Sequence, residues 1–517
     1  MNNSKLGKLK AKLSYGAGDM YGGGAFLVFS LLYMNFLTLV EGLPVATATV
    51  IIFIGKIWDA VTDPLVGRLS DKTRSRFGRR RLYFLLGILP VFISFVMLFY
   101  SFGISSELGK AIYHTLAYML FGTAFTIVMV PYNAILSDIT SDYNERTSFT
   151  TVRMVISGAS SLLCAVLPSA IIKLVGGNVN GEAQKNGYLI MALILGVFFA
   201  LAWVIVFLGT KEKSNLETPQ KITLRDWFGV FKNKAYCNFL GIFLSFQIAV
   251  DLVLAIFVFY VDLVILKYQY YEVLVGILLV FQVIFMLVNG ALAQKKGKVF
   301  PLFIGLPLWI ITSLLFIFVY TDTQLWVLCI FSVLIAVGSS AGNLSTWSML
   351  SDIYDIDEIV TGKRHEGIYS GVTTFLRKFA SGVAVLVLGI GLKGLGFDKD
   401  TYNMIKSSAI DFDPHQYATE GLVLGIKWMF IAIPIALCLI CLVFACFNKV
   451  NKKRFDSVIA GIDAYKTDGN LDKLPQEMIN NIETITGKNK EELWANGIEQ
   501  SKDETEASHI DESAQKE

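Results

Sequence analysis

Charge is scarce in this chain. Only 17% of its 517 residues are Asp, Glu, Lys or Arg, against 54% hydrophobic residues and a mean hydropathy of +0.56. A soluble protein of this length carries more charge, so the composition excludes that class and points to a polytopic membrane protein. Histidine is scarcer still. The four, His114, His365, His415 and His509, are scattered and form no catalytic constellation with cysteine, so no enzyme activity is expected. The six cysteines fall in or beside apolar runs without a paired extracellular spacing. Cys438 and Cys441 make a C-x-x-C, but on an apolar helix with no second ligand pair, so it reads as core and not as a zinc site. After Lys5, Lys8, Lys10 and Lys12 comes a long glycine-rich segment, with no short apolar stretch and cleavage site, so no removable signal peptide is expected. Glycines 16, 18, 22, 23 and 24 are not followed by Lys-Ser/Thr and follow no strand. They are read as permitting close helix packing or bending, not as a phosphate loop.

Long apolar runs are what the chain has in abundance. Twelve are long enough to cross about 30 Å of hydrocarbon: 15–40, 45–69, 82–103, 110–137, 149–175, 187–209, 235–266, 272–294, 300–320, 325–350, 369–396 and 420–447. All are expected to be helical, because an irregular backbone cannot be satisfied in lipid. Basic residues crowd alternate loops: Arg68, Lys72, Arg74, Arg76 and Arg79–Arg81 after run two, Lys211, Lys213, Lys221, Arg225, Lys232 and Lys234 after run six, Lys295, Lys296 and Lys298 after run eight, Lys363 and Arg364 after run ten. The positive-inside rule then makes both termini cytoplasmic, in the cell membrane, with the segment near 397–418 outside. From Asp456 onward the tail is acidic, with 15 Asp/Glu and 6 Lys/Arg. Short helices around Phe455–Tyr465 and Asn470–Trp494 are conceivable, with Pro475 opening the second. A solvated tail is the expectation.

The second run carries Asp59 and Asp63, four residues apart and so on one helix face. An ionised carboxylate deep in a bilayer costs on the order of 3 kcal/mol, and a pair repels itself, so a proton or a bound cation relieves it. The alternative is that Asp63-Pro64 lies at the interface and merely ends the helix.

The chain also repeats at half-length. Ile135-Leu-Ser-Asp138-Ile matches Met349-Leu-Ser-Asp352-Ile, and Arg153-x-x-x-Ser157-Gly matches Arg377-x-x-x-Ser381-Gly. Two six-helix halves in the same orientation are the parallel repeat of major-facilitator transporters, with the substrate between them near the midplane. The expected fold is thus an all-α membrane protein of that type: a first half at 1–209, a central cytoplasmic loop at 210–234, a second half at 235–448 and the acidic tail at 449–517.

Specific strings narrow this. Lys12-Leu-Ser-Tyr-Gly-x-Gly18-Asp19, Lys56-Ile-Trp-Asp-Ala-Val-Thr-Asp-Pro-Leu-Val-Gly67 and Thr73-Arg-Ser-Arg-Phe-Gly78 resemble the glycoside–pentoside–hexuronide:cation symporters, the melibiose-permease-like branch of the major facilitators. Ser351-Asp-Ile-Tyr-Asp355-x-x-Glu358 and Gly362-Lys-Arg-His-Glu366 add a match in the second half. The resemblance covers nearly all of residues 8–447. It implies a cation site of Asp59, Asp63, Thr62 and Thr126, a coupling lysine at Lys378 and a sugar-pocket arginine at Arg153. For Lys378 the alternative is snorkelling to the interface with Arg377. The resemblance also implies that the basic cluster at Lys72–Arg81 latches the halves together.

The sequence departs from that branch at several places. Thr62 replaces the asparagine of sodium-using galactoside carriers, so the coupling ion is H+ or Na+. Gly23, Met129, Asn133 and Asn343 stand where those carriers hold galactosyl groups. A replacement pocket is read from Asp19, Tyr132, Asn133, Gln247, Asp251, Asn343, Trp347, Tyr369 and Thr373, whose polar and aromatic groups suit a polyhydroxylated ligand. Acids have been lost while Arg153 and Lys378 remain, which leans toward an anionic substrate such as a uronate, with Asp19 and Asp251 as counterweights. The expected function is a cation-coupled symporter of a glycoside, oligosaccharide or hexuronide. It needs no cofactor beyond the coupling ion and no nucleic-acid partner, and it works as a monomer in a lipid bilayer. Alternatives are a lysolipid carrier of the same fold branch and a non-transporting membrane sensor.

Overall fold

A computed structural model describes residues 2–176, 184–212, 229–267, 270–363, 365–397 and 419–494. Twelve long helices account for the apolar runs. The first, α1, comprises Asn2–Gly16 and Gly18–Asn35 and ends in a π-helical turn at Phe36–Val40. There follow α2 (Val45–Lys72), α3 (Arg81–Leu98), α4 (Glu107–Ala134), α5 (Tyr143–Gly176) and α6 (Lys185–Gly209). The second series is α7 (Lys234–Phe259, ending in a π-helical turn at Tyr260–Val264), α8 (Tyr271–Lys296), α9 (Phe300–Leu315), α10 (Leu325–Thr361), α11 (Glu366–Gly394) and α12 (Glu420–Phe447). No strand occurs among the described residues. Eleven of these helices are apolar enough to cross a membrane. The other, α2, is 28 residues long but carries Lys56, Asp59, Asp63, Arg68, Asp71 and Lys72.

The repeat seen in the sequence governs the packing. α1 packs on α5, α2 on α4 and α3 on α4 and α6, while α7 packs on α11, α8 on α10 and α9 on α10 and α12. Each half therefore has its own apolar core. One is centred on Tyr21, Phe121, Tyr132 and Trp203, the other on Phe243, Trp309, Phe316 and Phe430. Among the described residues, only a small apolar cluster of Met154, Met286, Ala293 and Leu344 lies between them. The halves meet mainly through α2 against α11 and α5 against α8. That contact is close because glycine permits it. A Cβ at Gly371 would lie 3.0 Å from the Asp63 carbonyl oxygen, and one at Gly67 would collide with the Gly367 carbonyl. Large apolar side chains such as Leu89, Val166, Leu208 and Phe447 face outward, as a lipid-facing surface requires.

Several helices run past the limits that hydropathy sets. α10 continues to Thr361, and α5 starts at Tyr143. The added turns are polar, yet Asp352, Asp355, Asp357 and Glu358 are buried, because they are enclosed by protein and not by lipid.

The tail differs from the expected solvated segment. α13 (Lys452–Asp468) and α14 (Gln476–Thr486) dock on the end of the bundle that bears the basic loops. Asn451 caps α13 by accepting from the Arg454 amide, and Pro475 precedes α14. Val458, Ile462, Ile479, Ile482 and Ile485 sit at helical spacing and join the second-half core. Lys466 pairs with Glu358 at 2.6 Å, and the Trp494 amide donates to the Ile359 carbonyl. Phe455 reaches the other half, packing on Tyr143 and beneath the Arg146 guanidinium. Hydropathy missed this because the apolar residues form one narrow stripe in an acidic segment. Lys213, Lys221 and Arg225 of the central loop, Arg364, the outer segment 398–418 and the tail beyond 494 lie outside the described residues.

Ile482 is fully buried, and an aspartate there would bury an unpaired charge. Ile482→Asp is expected to cost the docked tail about 3 kcal/mol or more. Limited proteolysis should then cut between residues 449 and 494 while the twelve-helix bundle stays intact; an uncut tail would contradict the docking.

Candidate functional site

Asp59 and Asp63 lie on the face of α2 turned toward α4 and α11, and both are buried. Lys378 of α11 crosses from the other half. Its Nζ is 3.4 Å from Asp59 Oδ2 and 3.0 and 3.2 Å from the two oxygens of Asp63. Thr126 Oγ1 donates to Asp63 Oδ1 at 2.6 Å. Thr62 stays within its own helix, donating to the Asp59 carbonyl at 3.2 Å. The Phe26 and Phe125 rings flank the ammonium at 5.9 and 5.7 Å. Backbone geometry allows this density of charge. A Cβ at Gly122 of α4 would occupy the place of Asp59 Oδ1, and Pro64 leaves the helix without one amide donor just after the pair. Lys378 therefore does not snorkel to an interface. Its ammonium lies between the two carboxylates of α2.

A second group lies deeper in the first half. Arg153 of α5 makes a two-pronged pair with Asp19 of α1, at 3.1 and 3.2 Å, and donates to Asn133 Oδ1 at 2.7 Å. Its guanidinium lies 4.6 Å from the Tyr132 ring and 5.0 Å from the Trp347 ring of α10. The Tyr132 hydroxyl is turned away and donates to the Tyr15 carbonyl, so only the ring of Tyr132 belongs to the group. Across the interface Gln247 donates to Asn343 at 3.5 Å. Asn343 and Trp347 are half-buried, and so is Asp251, one turn beyond Gln247 on α7.

Two expected pocket residues are not brought to this place. The Tyr369 hydroxyl donates to Asp357 at 2.7 Å, and Thr373 shares a 3.0 Å hydrogen bond with Tyr236. Both are buried among α7, α10 and α11, nearer the basic end. The positive balance argued from Arg153 and Lys378 also changes. Each meets carboxylate within its own cluster, Asp19 for one and Asp59 with Asp63 for the other, so neither is spare charge.

The basic end is closed by two reciprocal networks. In the first half Arg80 meets Asp71 and Asp138, and Arg79 meets Asp138; Glu366 of α11 enters to accept from Arg80 at 2.9 Å and Arg79 at 3.1 Å. In the second half Lys298 holds Asp352 at 2.7 Å, and Arg146 of α5 enters to meet Asp352 and Asp355. Burial pulls the Lys298 ammonium down to about 8 against the attraction of Asp352. Asp71 accepts from the Gly367 and Ile368 amides, at 2.9 and 3.2 Å. Glu212 accepts from the amides of Arg79, Arg80 and Arg81, each at 2.8 Å, closing the start of α3. The sequence marked Lys72–Arg81 as a latch. It did not single out Glu366 as a partner of that latch, nor Arg146 and Lys298 as the cations of the second network, although the Ser-Asp repeat at 137–138 and 351–352 pointed to the right turns.

Twelve helices in paired halves, a charged pair shared between them and one closed end define a transporter of the major-facilitator type, not an enzyme. The chain belongs to the MFS/sugar transport protein family, which matches residues 14–452. It is 30% identical over 404 residues to the inner membrane symporter YicJ of Escherichia coli, covering 76% of this chain and 85% of that one. It is 24% identical over 476 residues to a glucuronide carrier protein homolog of the same organism, covering 91% and 97%. The fold is similar to that of the proton:xylose symporter XylE, with a TM-score of 0.58 at 14% identity, covering 85% of this chain and 96% of that one.

Glu366 is fully buried between two guanidinium groups. Glu366→Gln strips Arg79 and Arg80 of a shared partner and is expected to weaken the closed state by about 3 kcal/mol. A cysteine placed at Ser137 should then react with a thiol reagent applied at the basic end roughly tenfold or more faster. Unchanged reactivity would show that the network does not hold that end shut.

Proposed function

We propose that this protein is a cation-coupled symporter that imports a small polyhydroxylated substrate, a glycoside, oligosaccharide or hexuronide, by alternating access. The observation that carries the reading is the Lys378 bridge from one half to Asp59 and Asp63 of the other. Two buried carboxylates need a positive partner. An incoming proton or sodium ion supplies a second one, and the ammonium is released. Because the lysine comes from the opposite half, filling the site removes a tie between the halves, which is what coupling requires. Asp59, Asp63 and Thr126 offer hard oxygen donors that suit either ion. Thr62 joins them only by rotating away from its own backbone.

The polar lining supports a hydrophilic substrate over a lysolipid. Arg153, Asn133, Asn343 and the rings of Tyr132 and Trp347 combine hydrogen-bonding groups with flat apolar faces. A symporter and a glucuronide carrier homolog among the relatives agree with this class. A sensor would have no use for a coupling lysine. We read the basic end as cytoplasmic, with both termini there and the closed face pointing inward, in a plasma membrane. One chain supplies both halves, so a monomer is the working unit.

Uptake into proteoliposomes under separately imposed proton and sodium gradients, against glycosides, uronates and lysolipids, tests the reading. Asp63→Asn is expected to reduce gradient-driven accumulation to background while substrate binding persists; full accumulation would remove the coupling assignment. Lys378→Ala leaves the carboxylates without their resident cation. It is expected to bind the coupling ion about tenfold more tightly and to accumulate substrate poorly, since one charge is removed from the site. Wild-type accumulation in this variant would mean that Lys378 is only structural.

A further inference from the structure

Across the middle of the bundle three charged side chains, Lys56, Asp251 and Arg377, have no ion pair with any described residue, and of these Lys56 is exposed. Arg153 is matched by Asp19, and Lys378 by Asp59 and Asp63. Arg377, beside Lys378 on α11, has no ion pair or hydrogen bond with any described residue, and its Nε is buried without a partner. Its guanidinium lies 6.0 Å from the centre of the Trp347 ring, the ring that the Arg153 guanidinium approaches at 5.0 Å from the other half. Adjacent residues point about 100° apart on a helix. Lys378 is thus directed to α2, and Arg377 to α10 and the seam where the halves meet.

Arg377 is also far from water at the basic end. It lies about 16 Å along α11 from Glu366, which is buried in the closed network, and a guanidinium cannot snorkel that distance. Asp251 does not serve as its counter-ion. The Tyr236 hydroxyl meets Thr373, which sets α7 and α11 in register. Asp251 is then roughly 22 Å beyond that level and Arg377 only about 6 Å beyond it. Arg377 is half-buried, so part of its surface is left uncovered by protein. An uncompensated guanidinium in the interior of a membrane protein is costly unless a ligand neutralises it.

We infer that Arg377 is the specificity-determining residue that receives an oxyanion carried by the substrate, a carboxylate or a sulfonate, while Trp347 packs against the substrate's apolar face. This rests on the symport reading and narrows it to anionic polyhydroxylated substrates. The planar fork of arginine fits either oxyanion with two parallel hydrogen bonds, which lysine cannot make. Arg153 differs in kind. Its fork is already filled by Asp19 and Asn133, so it positions the Trp347 ring and the pocket wall.

The test uses full-length protein in proteoliposomes, with a proton or sodium gradient imposed. Uptake is measured for methyl glucuronide, a hexose 6-sulfonate and neutral methyl glucoside. Wild-type protein is expected to favour one or both anionic probes, and the preferred probe separates carboxylate from sulfonate. Arg377→Gln should raise KM for the preferred anion about 10- to 100-fold, the loss of a charge-assisted pair, and change KM for the neutral probe less than about threefold. Arg377→Lys, which keeps the charge, should fall between and guards against a variant that misfolds. An unchanged KM for the anion in Arg377→Gln overturns the inference, and so does an equal rise for anionic and neutral probes, which would make Arg377 a packing partner of Trp347. Wild-type protein that carries only the neutral probe under a gradient overturns the anion assignment and leaves symport standing. Wild-type protein that carries no probe under either gradient overturns the symport reading and this inference with it.

Discussion

Everything near the middle of this bundle answers to one constraint: two carboxylates on α2 are buried where water cannot solvate them. Their charge has to be met by protein or by a bound cation. In this structure it is met by Lys378, from the other half of the molecule. The surrounding features serve that contact. Gly122 lets Asp59 lie against α4, Gly371 brings the α11 backbone onto α2, and Thr126 holds one oxygen of Asp63. A side chain at either glycine would separate the charges from their partners.

The way the two halves adhere follows the same logic. Each has a complete apolar core, but the seam between them contains few apolar contacts. It is held by glycine-mediated backbone approach and by reciprocal charged networks. A buried ion pair contributes little net stability against an apolar alternative, yet losing one partner costs about 3–5 kcal/mol. Such a seam is specific in register without being strongly adhesive. The docked tail extends this arrangement, because Phe455 contacts Tyr143 and Arg146 of the first half while α13 and α14 sit on the second.

The pocket departs from what its composition implied. Arg153 and Lys378 are the cations that motif matching singles out, and both are engaged by acids of their own clusters. Arg377 matches Arg153 in the half-length repeat, yet its environment is unlike that of its counterpart. In the first half α1 supplies Asp19; in the second no described residue supplies an equivalent acid. The asymmetry between two repeats of one plan leaves Arg377 without an acid among the described residues.

Much of this was legible in the amino-acid sequence because lipid imposes simple rules. The length of apolar runs set the twelve helices, the half-length repeat set the two halves, and the spacing of Asp59 and Asp63 set their common face. The basic cluster at Lys72–Arg81 marked the closed end. What the sequence could not decide depended on which charge met which. Asp19 and Arg153 are far apart along the chain, as are Arg146 and Asp355, and only the crossing of helices pairs them. Tyr369 and Thr373 looked like pocket residues by type and position. Helix rotation turned them toward Asp357 and Tyr236 instead. The tail was read as solvated because its apolar stripe means nothing until a matching surface exists to receive it. Periodicity and hydropathy are properties of a segment and can be read from it alone. Charge compensation and docking are properties of pairs of segments, and the tertiary structure alone brings those pairs together.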